Sequence, residues 1–166
     1  MAHVLIMGQT ESGKTTLAKK LAHHYKQQGI AVIVLDPIAD PEWPADFRTS
    51  DPDEFLDFYW QARGCAVFID EAGETVGRFD TAMQKTATRG RHWGHRNHYI
   101  SQRGTMINRT VRDQCSTVFL FSTALEDCKI HARDWNKPGL IEAAKLAQGE
   151  YLTCGRFTDL KRGRIF

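Results

Sequence analysis

Gly8, Gly13, Lys14 and Thr15 stand in the order Gly-x-x-x-x-Gly-Lys-Thr, directly after the apolar run His-Val-Leu-Ile-Met at 3–7. Leu17, Ala18, Leu21, Ala22 and Tyr25 follow at helical spacing. A strand, a glycine-bounded loop and a helix start in that order make a phosphate-binding loop. Backbone N–H groups from Thr10 through Glu11, Ser12 and Gly13 to Thr15 and Thr16 can curl round phosphate oxygens, helped by the partial positive charge of the helix N-terminus. The glycines let the backbone approach, Lys14 reaches the β- and γ-phosphates, and the Thr15 hydroxyl takes a coordination position on Mg2+. The ligand implied is a nucleoside triphosphate, read here as ATP with Mg2+. Glu11 stands where such loops often carry glycine, so an acidic side chain lies near the phosphates.

A second pair of residues extends the chemistry. The apolar run Cys-Ala-Val-Phe-Ile at 65–69 ends in Asp70 and Glu71. At a strand end beside a phosphate loop, Asp70 can hold Mg2+ through water, and Glu71 can activate a water for attack on the γ-phosphate. A kinase needs no such base, because its acceptor replaces water. Gln102 closes the run Tyr-Ile-Ser-Gln and, if that strand neighbours the one ending at Asp70, can orient the water and sense the γ-phosphate. Arg91 lies eleven residues earlier, on the segment feeding the same strand. From there it could reach a neighbouring subunit's nucleotide, and its planar fork suits the charge spread over a transferring phosphoryl group, a contribution of roughly 10³–10⁵ in rate. Arg89 and Arg96 compete with it for that role.

The elements that must hold these residues alternate between apolar runs and helical patterns, which predicts an α/β fold with a mostly parallel sheet flanked by helices. Strands are expected at 4–7, 31–35, 65–69, 98–101 and 116–121. Helices are expected at 14–28, 53–62, 81–88, 106–113, 124–133 and 140–147. The Pro-rich, acidic stretch 37–53 reads as a loop, and 150–154 with 161–166 as a closing β-hairpin. At 166 residues the expectation is one ATPase domain over 1–166. No apolar run approaches the ~18 residues of a membrane span, and no basic-then-apolar leader opens the chain. A cytoplasmic protein that does not insert in membranes is therefore expected. Cys65, Cys115, Cys128 and Cys154 form no C-x-x-C pair and read as reduced core residues.

Charge is unevenly placed. Residues 85–112 hold seven of the 22 basic residues, three histidines and no acid, which leaves 15 basic against 20 acidic residues elsewhere. In a nucleotide-binding chain this favours contact with a polyanion. Arg103, Arg109 and Arg112 follow Gln102 and are the candidates for DNA phosphates. His92, His95 and His98 share no helical face and do not make a convincing metal site. Trp93, between Arg91 and Arg96, is the one tryptophan read as a candidate for stacking on a base; Trp43, Trp60 and Trp135 read as core or interface anchors.

Val-Leu-Asp-Pro at 34–37, Phe-Ile-Asp-Glu-Ala at 68–72, and Arg91 followed by Tyr-Ile-Ser-Gln-Arg at 99–103 resemble the HerA/FtsK superfamily, RecA-like ATPases of the ASCE division of P-loop NTPases. Over residues 3–125 the small size is most similar to the genome-packaging ATPases of phages and viruses with internal membranes. The resemblance implies a homo-oligomer, a hexameric ring with an arginine finger acting in trans. It also implies double-stranded DNA as substrate, and a portal or membrane protein at a virion vertex as a further partner, in the host cytoplasm or on the virion. The alternative is an assembly or secretion ATPase similar to the zonula occludens toxin-like proteins of filamentous phages, with a protein client. A nucleotide or small-molecule kinase is a third reading, which Asp70, Glu71 and Gln102 disfavour.

Overall fold

The computed structural model describes residues 3–75 and 81–166. Its strands are β1 (His3–Met7), β2 (Val32–Leu35), β3 (Phe47–Thr49), β4 (Ala66–Ile69), β5 (Arg96–Ser101), β6 (Cys115–Phe121), β7 (Glu150–Gly155) and β8 (Lys161–Arg164). They form one sheet in the order β3-β2-β4-β5-β1-β6-β7-β8. The first six in that order are mutually parallel, and β7 and β8 add on antiparallel. The helices are α1 (Lys14–Gln27), α2 (Pro52–Gln61), α3 (Ala72–Thr75), α4 (Thr81–Arg89), α5 (Arg109–Asp113) and α6 (Leu125–Asp134).

Continuous apolar runs become parallel strands because helices cover both sheet faces. The period of two still assigns each side chain to a face. Val4 and Ile6 of β1 pack with Leu17, Ala18 and Ala22 of α1 and with Trp43, whereas Leu5 and Met7 pack with Phe55, Tyr59, Met83, Val111, Cys128 and Leu140. All four cysteines are buried thiols, and burial pushes each of them above its ordinary pKa.

The fold departs from the sequence expectation in three places. The stretch expected to be a loop contains β3, which pairs Phe47 with Ile33 and stacks the Phe47 ring on Phe58 at 4.0 Å. A three-residue strand between prolines is too short to show a period. The expected helix over 140–147 is instead the 3₁₀ segment Pro138–Lys145, whose buried Leu140 and Ala143 recur every third residue, as that tighter spiral requires. The helix expected at 106–113 divides into a 3₁₀ turn, Gly104–Met106, and α5, which Asn108 caps by accepting from the Thr110 N–H.

Buried polar groups tie α4 to the sheet. The Asn97 side chain donates to the Thr86 carbonyl and the Tyr99 hydroxyl and accepts from the Tyr59 hydroxyl, while His3 bonds the Ala87 carbonyl and the Asn97 N–H. His95 bonds the Cys65 N–H and the Tyr59 carbonyl, and His98 lies between the Val67 carbonyl and the Tyr25 hydroxyl. The two buried histidines of the His92, His95 and His98 series therefore serve packing. Trp93 donates to the Trp60 carbonyl and carries the Arg63 guanidinium over its ring at 4.9 Å.

Desolvation lowers His3 to about 4 and His98 to about 3, and also lowers His95 and His131. In each case the unfolded chain binds the proton more readily, so stability is fully present above pH ~6.5 and is lost as pH falls toward the folded values. His3 alone should remove about 3 kcal/mol by pH 4. Asp70, raised to about 6, acts in the opposite sense between its two pKa values but is a single group. Urea unfolding from pH 7.5 to 4.5 should show a midpoint that declines below pH ~6.5; a midpoint that rises on acidification would contradict the buried neutral histidines.

Candidate active site

The loop after β1 is clamped by its neighbours. Gly8 N–H donates to the Ser101 carbonyl and Gln9 N–H to the Ser122 carbonyl, which fixes the loop to the ends of β5 and β6. A Cβ at Gly8 would lie 2.6 Å from both Phe121 Cβ and Ser12 Oγ, so the tight entry excludes any side chain. Gly13 has φ 116° and is the N-cap of α1, with no side chain capping the helix. By contrast, α2 is capped by Asp51, which accepts from the Asp53 N–H. Among the described residues the N–H groups of Thr10, Glu11, Gly13, Lys14 and Thr15 have no protein acceptor, and the buried Ser12 hydroxyl has no partner. Such a run of orphan donors at a helix start is a cradle for an anion. Glu11 has φ 64°, the left-handed conformation that explains why glycine suits this position.

Lys14 is 7% exposed and its ammonium donates to the Gln9 carbonyl at 3.3 Å, across the loop it would serve. Burial lowers its pKa, against the pull of Glu71 and Asp70. Asp70 follows β4 and is buried; its Oδ1 accepts from the Glu71 N–H at 2.9 Å. Burial pushes Asp70 up to about 6, with the charges of Glu71 and Asp36 adding to the shift and Lys14 opposing it. Glu71 is half-buried and has φ 51°, a left-handed backbone costing about 1–2 kcal/mol in a non-glycine residue. Strain of that kind collects at functional positions.

Because β5 lies between β1 and β4, Gln102 emerges between the phosphate loop and the two carboxylates, and its Nε2 donates to the Thr10 hydroxyl. The structure thus brings together the loop residues Gly8 to Thr16, Asp70, Glu71 and Gln102. Arg91 stands apart. It lies in the 3₁₀ turn Gly90–Trp93 before β5, at the opposite end of the strand from Gln102, and its Nη2 donates to Gln114 Oε1 at 2.8 Å. The six residues of β5 put about 20 Å between the two ends. Arg89 and Arg96 share the Arg91 end.

The three arginines considered for DNA all face carboxylates. Arg103 Nε is 3.3 Å from the buried Asp127, Arg109 Nε is 3.8 Å from Asp113, and Arg112 Nη1 is 2.6 Å from Asp134. Arg112 is 14% exposed, so its charge is used inside the fold, whereas Arg103 and Arg109 are 60% and 81% exposed.

Sequence reasoning gave no role to Asp36, which is 1% exposed at the end of β2 and accepts from the N–H groups of Ile38 and Asp40. The signal was available, since an acid closing an apolar strand is what marked Asp70. It also missed Gln148, which donates to the Glu11 carbonyl at 2.8 Å, and no local pattern announces that contact.

Thr15 and Asp70 supply hard oxygen donors at the loop. Among the described residues no group of three or more His, Cys, Asp or Glu could hold a metal. Few protein ligands beside a phosphate cradle suit Mg2+, which keeps waters and substrate phosphates in its shell.

The fold and the loop define a P-loop NTPase fold with an added strand between the phosphate-loop strand and the carboxylate strand. Residues 1–75, which contain the loop and the Asp70–Glu71 pair, match the family model described as Novel STAND NTPase 3. No curated protein sequence matches the chain. In structure it is similar to the genome packaging NTPase B204 of Sulfolobus turreted icosahedral virus 2 in complex with AMPPCP, at TM-score 0.84 and 15% identity over 99% of this chain and 98% of that one. It is also similar to VirB4 of Thermoanaerobacter pseudethanolicus (TM-score 0.74, 12% identity, 99% and 89% covered). The N-terminal domain of zonular occludens toxin from Neisseria meningitidis matches as well (TM-score 0.62, 15% identity, 100% and 94% covered).

A buried carboxylate held near pH 6 destabilises the folded protein above that pH. Asp70→Asn keeps an acceptor for the Glu71 N–H and removes the charge. At pH 7.5 in chelator it should stabilise the protein by about 3 kcal/mol. The gain should shrink to about 0.5 kcal/mol by pH 4, where Asp70 is protonated in the folded state and roughly 40% so in the unfolded one. Urea melts at the two pH values check this, and a destabilised variant at pH 7.5 would refute the assignment.

Proposed function

We propose that this chain hydrolyses ATP and uses the energy to move double-stranded DNA, as a subunit of a viral genome-packaging motor that works as a homo-oligomeric, hexameric ring. The observation that carries the hydrolytic part is the insertion of β5, which presents Gln102 to the phosphate loop beside Asp70 and Glu71. An amide next to a strained carboxylate serves a water, not an acceptor alcohol. Similarity over nearly the full length of both chains to a genome-packaging NTPase supports the choice of work done.

In this reading the orphan N–H groups from Thr10 to Thr15 bind and orient the phosphates, and Lys14 leaves the Gln9 carbonyl to meet them. Thr15 and Asp70 would hold Mg2+, which would supply neutralisation of phosphate charge. Glu71 takes the proton of the attacking water, and Gln102 exchanges its bond to Thr10 for one that orients that water. Arg91 is too far along β5 to serve its own loop, so it acts on a neighbouring subunit's nucleotide.

A second reading keeps a protein client. The pairing of Arg103, Arg109 and Arg112 with acids lowers the free positive charge near the sensor strand, and the toxin domain's fold spans the whole chain.

Lys14→Ala should abolish nucleotide binding, while Glu71→Gln should bind ATP and lose hydrolysis by about 10²–10⁴-fold. Adding Arg91→Ala subunits to Glu71→Gln subunits should restore part of the activity, because some mixed interfaces carry one intact copy of each group. Near-normal hydrolysis by Glu71→Gln would return the kinase reading, and no recovery in rings shown to be mixed would remove action in trans.

Binding of unrelated duplexes should be sequence-independent and fall steeply with salt. The Arg109–Asp113 pair is exposed and weak enough for phosphate to displace the carboxylate, and Arg103, though held to the buried Asp127, is itself largely exposed, so Arg103→Ala and Arg109→Ala should each flatten the slope of log affinity against log salt by roughly one per subunit engaged. Salt-insensitive binding, or slopes unchanged in both variants, would place the protein client first.

A further inference from the structure

The side of the phosphate loop away from Gln102 is built from the far end of the chain. Gly149 N–H donates to the Ser12 carbonyl at 2.9 Å, and Gln148 Nε2 donates to the Glu11 carbonyl at 2.8 Å. Ile165 N–H then donates to the Gly149 carbonyl at 2.8 Å, and Lys20 of α1 donates to the Ile165 carbonyl at 3.1 Å. These four bonds hold the 148–149 and 165–166 segments against the loop and the first turns of α1. The Phe166 ring covers Gly149 so closely that a Cβ there would lie 2.4 Å from it, yet Phe166 remains 60% exposed. One pocket contains Lys14, Thr15, Thr16, Glu11, Gln148 and Phe166.

An apolar ring, seated on backbone and exposed at the edge of a phosphate cradle, has an energetic cost that a stacked base would remove. The Gln148 amide is oriented as well. With Nε2 engaged by Glu11, its Oε1 has no protein partner among the described residues and is an acceptor. Adenine presents an exocyclic amine that can donate to it, whereas guanine carries an oxygen at the corresponding position. We propose that this pocket takes the nucleoside of the triphosphate, with the purine stacked on Phe166 and its exocyclic amine donated to Gln148, so that the site prefers ATP to GTP. This rests on the phosphate-loop reading above and adds the base to it.

The test is equilibrium binding of ATP, GTP and inorganic tripolyphosphate, each with Mg2+, to the full chain and to Phe166→Ala, Phe166→Trp, Gln148→Leu and Gln148→Glu. Phe166→Ala should weaken ATP by about tenfold, the worth of one stacked base, and leave tripolyphosphate unchanged; Phe166→Trp should hold ATP as the unmodified chain does. Gln148→Leu should erase the ATP preference, and Gln148→Glu, which cannot donate to the Glu11 carbonyl and so loses the contact that orients the acceptor, should weaken it. Equal weakening of ATP and tripolyphosphate in Phe166→Ala would mean that the ring only supports the loop and would overturn the proposal. So would undiminished ATP affinity, or a GTP preference in the unmodified chain. Failure of the unmodified chain to bind both tripolyphosphate and ATP would refute the phosphate-loop reading and this one with it, which separates the two.

Discussion

A phosphate cradle works only if its donors are left without protein partners, and a loop with unpaired donors must be held open by everything around it. Here five N–H groups between Thr10 and Thr15 have no acceptor among the described residues, while Ser12 N–H closes the loop on the Gln9 carbonyl and the other bonds run outward. The first two loop N–H groups go to β5 and β6, and the carbonyls of Glu11 and Ser12 go to the 148–149 turn. A helix N-cap side chain at position 13 would close the cradle, and glycine with positive φ supplies none. The strands on either side of β1 and a turn more than 130 residues away are thus held in place by one requirement, that α1 begins uncapped.

The carboxylates add a second demand that opposes the first. Asp36, Asp70 and Glu71 close neighbouring parallel strands at the same sheet edge as the loop, and one buried ammonium, Lys14, stands among them. Burial raises Asp70 and lowers Lys14 despite their mutual attraction, so for both groups desolvation outweighs pairing. Under the proposed function, a divalent cation bound there would reverse the balance by favouring the ionised carboxylate.

What the sequence made legible was local in origin. The loop, the carboxylates after 65–69 and the amide after 98–101 are each marked by an apolar strand that stops at a polar residue, and strand ends are where a parallel sheet gathers chemistry. Adjacency of β4 and β5 stood as a condition in the sequence and is present in the sheet. The strand β3 escaped because three residues among prolines carry no period, and the 138–145 segment was misassigned because periods of 3 and 3.6 agree over so few residues. The partners of Arg103 and Arg112 lie 24 and 22 residues further on, on α6, so a segment that reads as free positive charge is in part neutralised by a helix that only folding brings alongside. Gln148 and Phe166 are set by contacts more remote still.

The same strand that ends at Gln102 begins beside the turn holding Arg91. β5 is paired along its length with β4 on one side and β1 on the other, and five of its six residues are buried. At its start, Asn97, Tyr59, Thr86 and His3 bond α4 to the sheet, and Gly90 lies against the Tyr59 hydroxyl, so the arginine turn is fixed to the strand by buried polar contacts rather than hinged on it. Breaking one such contact leaves a buried polar group unpaired at about 1–3 kcal/mol, which makes independent movement of the turn costly. Under the proposed function, a change at Gln102 on nucleotide turnover and the position of Arg91 at the next subunit's nucleotide are therefore properties of one rigid body. The coupling between successive sites then needs no flexible relay, only the displacement of a subunit whose sensor and arginine lie at opposite ends of a single strand.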